Sequence, residues 1–465
     1  MLFFYMLRLI YIVIFSVSLM AGMSGCIEDG FTSSPNDQPE FSVDTLKFGT
    51  VFTAEGTPTH TFKVYNRHDK GLNISSISFV NPSDADIFRL NVDGLSGKSF
   101  ENVEIRANDS IFILVEATIP ENGRPMPLKL DAPLEFMVNG RTSKVVLSAV
   151  GQDVERIHGG EITGNVSLSA EKPYQIYDSL VVAEGASLTI PAGVSMYFHS
   201  GAELRVRGSL VVEGVPDSPV NMTGDRFGQV VGRIPYEVMS GQWGGVVFYG
   251  SSRGNRMSYA SIRNTTFGVW IDSVSAEMTE PVLTLTNCQL RNSAGSVLTA
   301  LYAPVSAVGC EFAEAAENVV ALLDGKHYFN HCTFSNNYLF SSISGSILTF
   351  AGENVKADIS NSIVYGLGPQ LSPSDISDLD IRIRRTLLKP SGDDDDNFIE
   401  CLWNQDPLFH TVRSEYIFDY RLHDDSPAIG AADPSLTDPR AAVDFYGNSR
   451  GAVPDLGAYV HTPDE

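Results

Sequence analysis

Three cysteines stand at an even spacing in the second half of the chain. Cys288, Cys310 and Cys332 lie in the stretches NCQL, GCEF and HCTF, each 22 residues after the previous one. Leu188 and Leu210 are separated by the same interval much earlier in the sequence. A constant internal period of this length indicates a repeat architecture, in which each unit packs mainly on its two neighbours.

The repeating unit reads as a short strand. In CQLR a small and a large apolar residue alternate with polar ones, so Cys and Leu point to one side and Gln and Arg to the other. A pair of helices needs about 33 residues or more per repeat, so we predict a β-solenoid with turns of about 22 residues. Asn264, Asn292 and Asn336 are expected at its corners, because Asn tolerates left-handed backbone. Two inward columns follow: small residues at Ala260, Cys288, Cys310, Cys332 and Ser362, and large ones at Ile262, Leu290, Phe312, Phe334 and Val364.

The cysteines are then predicted to be small core residues with reduced thiols. The alternative is a disulfide, but parallel Cβ directions on stacked strands suit its geometry poorly, and three cysteines leave one unpaired. A metal site would need convergent ligands, and His331, directly before Cys332, is expected to face away from the thiols.

The first rungs, SLVVAEGASLTIPAGVSMYFHSGAELRVRGSLVVEG followed by WGGVVF, resemble the right-handed parallel β-helix of the pectin-lyase-like superfamily. The resemblance spans about Gly159 to Leu388, and we assign residues 155–404 to this fold. The motifs DPLF, YRLHDDSPAIGAAD and DFYGNSRGAVPDLGAYV resemble a module that closes many bacterial β-helix proteins. Residues 405–465, the C-terminal segment, are therefore expected to pack on the last rung and cover the open end of the solenoid.

Residues 41–154 carry alternating runs bounded by Gly, Asn, Pro and Asp, at the spacing of a β-sandwich of immunoglobulin type. The runs are Asp44–Val51, His60–Asn66, Leu72–Phe79, Asp109–Ile119 and Lys144–Asp153. They resemble the Ig-like modules of bacterial surface proteins, whose usual role is that of a spacer. The predicted fold class is all-β: an Ig-like sandwich followed by a right-handed parallel β-helix.

The N-terminus predicts export and a lipid anchor. An apolar run precedes small residues and Cys26, which reads as a secretory signal over residues 1–25. A permanent transmembrane anchor is the alternative, because the run is long enough to span a bilayer. MSGC resembles the lipobox of bacterial lipoproteins, which implies lipid attachment at Cys26, and the following IEDG resembles the surface-export signal of Bacteroidetes lipoproteins. We expect a flexible tether over residues 26–40 and an outer-membrane, surface-exposed location.

The net charge of the chain limits the kinds of partner that it is expected to bind. The formal net charge is −24, so the surface repels the phosphates of nucleic acids, and no nucleic-acid partner is expected. An acidic polysaccharide is a poorer ligand for the same reason, unless Ca²⁺ bridges the two. The acidic run GDDDDN, residues 392–397, is interpreted as a solvated loop, with a Ca²⁺ site as the alternative.

The resemblance raises the question of enzymatic activity, because parallel β-helices include pectate lyases and polygalacturonases with carboxylates on one outward face. Neither outward column beside the cysteines clusters carboxylates. GVWID lacks the His of the lyase motif, since Ser273 follows it, and HDD at 423–425 falls in the C-terminal segment. The columns are Ser261, Gln289, Glu311, Thr333 and Ile363, and Arg263, Arg291, Ala313, Ser335 and Tyr365.

The sequence therefore predicts no catalytic residue, metal ligand or cofactor. It predicts a surface-anchored, non-catalytic lipoprotein that serves in adhesion or binds a polysaccharide or cell-surface glycan through its β-helix. The alternative is a polysaccharide lyase or glycoside hydrolase. Four aromatic residues are candidates either to stack on sugar rings or to pack in the core: Trp243, Tyr249, Trp270 and Trp403.

Overall fold

The computed structural model describes residues 30–230, 234–274 and 280–464. The predicted signal peptide and Cys26 lie outside these residues. The chain divides into two compact units, Met1–Asn122 with Pro127–Gly151, and Gly123–Met126 with Gln152–Glu465. Helical structure in the described part consists of short 3₁₀ turns at Pro82–Asp86, Tyr236–Val238, Arg413–Glu415, Pro434–Leu436 and Pro439–Ala441. None of these turns has the length or apolar character to cross a bilayer.

The first unit contains ten strands in two five-stranded sheets. The strands are β1 (Glu40–Phe41), β2 (Thr45–Phe52), β3 (His60–Tyr65), β4 (Leu72–Phe79), β5 (Phe88–Val92), β6 (Leu95–Gly97), β7 (Phe100–Ile105), β8 (Ser110–Ala117), β9 (Leu128–Val138) and β10 (Arg141–Gln152). One sheet has the order β1-β3-β8-β5-β6 and the other β2-β10-β9-β4-β7.

Alternation along the strands builds one hydrophobic core from both sheets. Ile111, Ile113 and Val115 of β8 are buried at every second position, and Leu134 and Phe136 of β9 follow the same rule. All five predicted runs are strands, so the all-β prediction is confirmed. The immunoglobulin-type assignment of this unit stays a prediction.

The second unit is a parallel β-helix, as predicted. Its strands are β11 (Glu155–Ile162), β12 (Asn165–Ser167), β13 (Tyr174–Val182), β14 (Ser187–Pro191), β15 (Ser195–Phe198), β16 (Glu203–Val206), β17 (Ser209–Glu213), β18 (Val220–Gly224), β19 (Trp243–Phe248), β20 (Asn255–Ser258), β21 (Ala260–Ile262), β22 (Thr265–Ile271), β23 (Leu283–Thr286), β24 (Gln289–Ser293), β25 (Leu298–Leu301), β26 (Val305–Val308), β27 (Glu311–Ala315), β28 (Val320–Leu323), β29 (Lys326–Asn330), β30 (Thr333–Asn336), β31 (Leu348–Ala351), β32 (Lys356–Ser360), β33 (Ile363–Gly366), β34 (Leu371–Ser372), β35 (Asp380–Arg384), β36 (Leu387–Leu388), β37 (Phe398–Ile399) and β38 (Leu402–Trp403).

Successive rungs pair in parallel and form three faces. Face 1 consists of β15, β18, β21, β24, β27, β30, β33, β36 and β38, and face 2 of β16, β19, β22, β25, β28, β31 and β34. Face 3 is the ten-stranded sheet that runs from β12 through β14 to β37. Strand β13 is long enough to begin both face 1 and face 2.

The predicted inward columns are present on face 1. Ile262 aligns with Leu290, Leu290 with Phe312, and the register continues through Phe334 to Val364. These residues are at most 2% exposed, and Phe312 and Phe334 stack with ring centroids 5.3 Å apart. The three cysteines are buried and free, with no disulfide among them.

Left-handed residues mark the rung corners in two columns. Asn264 and Asn292 have positive φ as predicted, and Glu314 occupies the next position of that column with φ 54°. Asn336 is the next residue of the column, but its backbone is not left-handed. A second left-handed column, which the sequence analysis missed, lies directly before the cysteines: Tyr259, Asn287, Gly309, His331, Asn361 and Arg385.

The C-terminal segment packs on residues of the last rungs, Leu387 and Leu402, and also extends beyond them. It lies along the side of the solenoid, over the outward surface of face 1 from about β24 to β36. Its residues Tyr420, Phe445 and Tyr459 pack with Ala313, while Leu422 and Leu456 pack with Ile363 and Leu387. The outward columns that it covers include both apolar residues, such as Ile363, and polar ones, such as Gln289 and Glu311. Coverage of the open solenoid end by this segment stays a prediction.

Candidate functional site

The predicted outward columns of face 1 do point away from the solenoid core, but most of each is buried by the C-terminal segment. Gln289, Glu311 and Thr333 are 7%, 1% and 1% exposed. Gln289 donates to the Tyr459 hydroxyl at 2.8 Å, and the Ala458 amide donates to Thr333 Oγ1 at 2.9 Å. This part of face 1 is therefore an internal packing surface of the chain.

Amide side chains from the rung corners hold the C-terminal segment in place. Asn287 donates to the carbonyl of Val443 at 3.1 Å, and Asn361 donates to the carbonyl of Asp433 at 2.9 Å. His331 faces away from the thiols, as predicted, yet it is fully buried and contacts Thr437 Oγ1 at 3.0 Å. Burial lowers the pKa of His331, so this imidazole is neutral and serves the attachment.

A cluster of charged groups is sealed under the segment. Arg291 forms an ion pair with Glu311 at 2.8 Å, and the Tyr459 hydroxyl donates to the same carboxylate. Burial alone would lower the pKa of Arg291, but the Glu311 carboxylate reverses the effect and raises it. Burial raises the pKa of Glu314 to about 8, against the attraction of Arg291, and the Tyr420 hydroxyl donates to this carboxyl. The cluster is structural, because the chain itself occupies the space where a ligand would sit.

Face 1 has an open section before the C-terminal segment begins to cover it. Outward residues of β15 and β18, with Arg263 and Asn264 after β21, form the floor of a cleft of about 320 Å³. The described parts of the 225–241 loop form its wall. The lining residues are Ser195, Tyr197, Asn221, Thr223, Gly224, Arg226, Phe227, Gly228, Pro235, Glu237, Arg263 and Asn264.

The loop is anchored by the corner residue Asn264. Its amide donates to the carbonyls of Glu237 and Met239 at 2.8 Å each, and its carbonyl oxygen accepts from Thr223. The left-handed backbone of Asn264, with φ 65°, turns the side chain toward the loop. The wall of the cleft is thus fixed by buried hydrogen bonds to the floor.

The cleft combines an aromatic ring with an ion pair. Tyr197 meets the edge of Phe227, with ring centroids 5.3 Å apart. Burial raises the pKa of Tyr197, so its phenol stays neutral and can donate a hydrogen bond. Arg263 pairs with Glu237, which is the one carboxylate among the described lining residues. Such a mixture of fixed polar groups and an aromatic ring is typical of small-molecule sites.

A row of rings leads along the solenoid toward the cleft. His158, Tyr177 and His199 are in register on three successive rungs, with centroids 4.5 and 4.8 Å apart. His199 Nδ1 lies 2.7 Å from the carboxylate of Asp225, at the start of the loop. His158 and His199 are exposed, and Tyr177 between them is half-buried. This aromatic row was not predicted from the sequence, although the spacing of Tyr177 and His199 equals the repeat of 22 residues.

The four aromatic candidates from the sequence have separate roles. Trp243 is fully buried, stacks on Phe198 at 4.0 Å and is a core residue. Tyr249 lies under Arg207, and Trp403 packs on Phe398. Trp270 is half-buried on face 2. None of the four lines the cleft.

Two carboxylates of the acidic run accept hydrogen bonds from neighbouring groups of the chain. Asp395 accepts from the amides of Asn397 and Phe398 at 2.8 Å, and Asp394 accepts from Trp403 Nε1 at 3.0 Å. The loop interpretation fits this arrangement, because these oxygens already serve local turns. In GVWID, Asp272 accepts from the amide of Ser273, so it too closes a turn.

A pectate-lyase-like β-helix domain family model matches residues 160–275, which contain β13 to β22 and the cleft. No curated protein matches the chain.

Three solved structures share limited similarity. A family 123 glycoside hydrolase from Clostridium perfringens has 10% identity and a TM-score of 0.18, over 25% of this chain and 26% of that one. PapD-like domain 7 of human CEP192 has 14% identity and a TM-score of 0.19, over 27% and 92%. A protein of unknown function from Porphyromonas gingivalis W83 has 14% identity and a TM-score of 0.19, over 28% and 59%. The chain spans about a quarter of the length of the glycoside hydrolase. Residues 160–275 are thus similar to pectate-lyase-like β-helix domains.

Proposed function

We propose that this chain is a surface-anchored, non-catalytic lipoprotein that binds a neutral glycan in the cleft of face 1. The observation that carries the proposal is the uncovered section of face 1, where the cleft keeps polar groups accessible to solvent. The same columns are occupied by the C-terminal segment farther along the solenoid. In this proposal lipid at Cys26 and the unit of residues 41–154, as an Ig-like spacer, present the β-helix outside the outer membrane.

The cleft suits a ligand rich in hydroxyl groups. Asn221, Thr223 and the Arg263–Glu237 pair offer both donors and acceptors, which a sugar can match at several hydroxyls at once. The rings of Tyr197 and Phe227 add apolar surface. The net charge of −24 favours a neutral chain over an acidic one, because it repels anions at long range.

The aromatic row extends the proposed site. The edges of His158, Tyr177 and His199 place polar atoms at intervals close to the rung spacing of about 4.8 Å. A linear oligosaccharide that lies along the solenoid axis would meet them in succession. We therefore expect an oligosaccharide to bind more tightly than a monosaccharide, since only the longer ligand reaches both the cleft and the aromatic row.

Binding is favoured over hydrolysis by the state of the carboxylates. Glycoside hydrolysis uses two carboxyl groups that flank the scissile bond. Glu237 is engaged by Arg263, and Asp225, at the loop start, is engaged by His199. Both carboxylates are thus oriented by basic partners that hold them as hydrogen-bond acceptors.

The test is a glycan array with the purified chain, followed by calorimetry on the best ligand and product analysis on the same sugars. We expect Tyr197→Phe and Arg263→Gln each to weaken binding about tenfold, the range for losing one charged or well-placed hydrogen bond. Tyr302→Phe and Arg253→Gln are matched controls, because both residues are exposed and lie outside the cleft. Equal affinity of all four variants would refute the site, and cleaved products would favour the lyase or hydrolase alternative.

A further inference from the structure

A second cluster of polar side chains lies in the C-terminal segment, apart from the cleft. His410 Nε2 and His423 Nδ1 lie 3.1 and 3.0 Å from the two carboxylate oxygens of Asp464. The imidazole centroids are 3.7 Å apart, and one ligand atom from each residue lies within 4.8 Å of the others. Two imidazoles and a carboxylate therefore converge on one point, although HDD alone gave no such signal in the sequence.

The backbone fixes the two histidines on one side of the segment. Phe409 and Leu422 form an antiparallel bridge, and both pack into the core beneath the segment. Because side chains alternate across such a bridge, the neighbouring His410 and His423 point to the opposite, solvent side. A hydrogen bond from the His423 amide to the carbonyl of Leu408, at 2.9 Å, holds this register.

Asp464 is also held in place. Its amide donates to Asp424 Oδ1 at 3.1 Å, and the same oxygen is 2.9 Å from His461 Nε2. The nearby cation Arg421 is engaged by Asp419, with Nη2 and Oδ2 2.6 Å apart. The site thus presents three positioned ligands, and the carboxylates around it give a local charge that attracts cations.

We propose that His410, His423 and Asp464 bind one divalent transition-metal ion of the zinc class. Imidazole nitrogen with one carboxylate suits Zn²⁺, Ni²⁺ or Cu²⁺, whereas Ca²⁺ and Mg²⁺ prefer all-oxygen sets. Ligand atoms at about 2.0–2.1 Å from a tetrahedral zinc lie about 3.3 Å from one another. The observed separations between His nitrogens and Asp464 oxygens are close to this value. Solvent would complete the fourth position. The ion would join residues 410–423 to residue 464 and so clip the C-terminal segment together.

The test is isothermal titration of the tag-free, chelator-treated chain with Zn²⁺ alone, and with Ca²⁺ in a parallel experiment. We expect one Zn²⁺ site per chain and no Ca²⁺ binding there. His410→Gln, His423→Gln and Asp464→Asn should each weaken Zn²⁺ binding by about tenfold or more. His199→Gln is the matched control, because it removes an exposed histidine paired with a single aspartate, and its affinity should be unchanged.

Circular dichroism would confirm that the variants fold, which is expected since both His423 and Asp464 are exposed. The proposal is overturned if the intact chain takes up no Zn²⁺, or if the His410→Gln, His423→Gln double variant binds it as tightly as the unchanged chain. A loss of affinity in His199→Gln equal to that in His423→Gln would also overturn it. Glycan binding in the cleft is measured separately, so either proposal can fail without the other.

Discussion

Glu314 gives the sharpest test of how the C-terminal segment is attached. The residue is 4% exposed, and it lies at a corner where the neighbouring rungs carry Asn292 and Asn336. Burial raises its pKa from 4.5 to about 8, so the folded protein holds a proton that the unfolded chain has lost. The contribution of Glu314 to stability should therefore fall as pH rises from about 4.5 to about 8. Glu314→Gln keeps a neutral side chain of the same size and should abolish this contribution.

The magnitude follows from the pKa. Each unit of difference between folded and unfolded states corresponds to about 1.4 kcal/mol. From about pH 5 upwards the Glu314 carboxyl of the unfolded chain is mostly ionised, whereas that of the folded protein stays mostly protonated until the pH approaches about 8. We expect the unchanged protein to lose on the order of 3 kcal/mol relative to Glu314→Gln across this window.

Urea unfolding at several pH values, followed by tryptophan fluorescence, measures the difference. All three tryptophans lie in the β-helix, so the signal reports this unit. Glu317→Gln is the matched control, since Glu317 is an exposed carboxylate that follows Glu314 by three residues. If the difference in unfolding free energy between the unchanged protein and Glu314→Gln stays constant from about pH 5 to about pH 8, the inference that Glu314 is protonated in the folded protein is refuted.

Two further predictions follow from the packing of the β-helix and a third from the N-terminal sequence. Burial raises the pKa of the Cys310 thiol, so a thiol reagent should label this residue slowly in the folded protein, and fast labelling would place it on the surface. Cys310→Ala should lower the free energy of unfolding by about 1 kcal/mol. Gly457 has φ 85°, and a Cβ there would meet Thr333 Oγ1 at 2.7 Å. Gly457→Ala should therefore destabilise the attached segment by about 1–3 kcal/mol. Gly451→Ala is the control, because a Cβ at Gly451 would meet open space, and it should change thermal melting little. Cys26→Ser should release the protein from membrane fractions, and unchanged membrane retention would instead indicate an uncleaved anchor.

The first unit shows where strand prediction succeeds and where it misses. Runs such as Leu72–Phe79 alternate cleanly and are strands in the structure. β9 was missed, and it contains Pro133, which has no amide proton and argues against a central strand. In the structure the Val146 amide opposite Pro133 bonds to Asp44 of the neighbouring segment, and pairing of β9 with β4 ends at Leu134. Proline is tolerated near the end of this pairing, where its carbonyl still accepts from the Val80 amide at 3.0 Å.

For the cleft, the sequence placed one residue of the floor, Arg263, on an outward column, and the structure decided its use. Arg263 and Ser261 were placed on outward columns from the repeat alone, and both point outward. The loop that walls the cleft is not periodic, so nothing in the repeat placed Phe227 or Glu237 beside Tyr197. The aromatic row could have been predicted from the sequence, because Tyr177 and His199 are separated by the repeat of 22 residues.

The sequence by itself determined the rung, its length and its inward columns. These depend on contacts between neighbouring turns, and a period of 22 residues encodes such contacts directly, as from Leu290 to Phe312. Only the tertiary structure decided which outward residues stay open. Gln289 meets Tyr459 across 170 residues of chain, and His423 meets Asp464 across 41. Contacts of this kind repeat nowhere in the sequence, so they are fixed only when the C-terminal segment folds back over face 1.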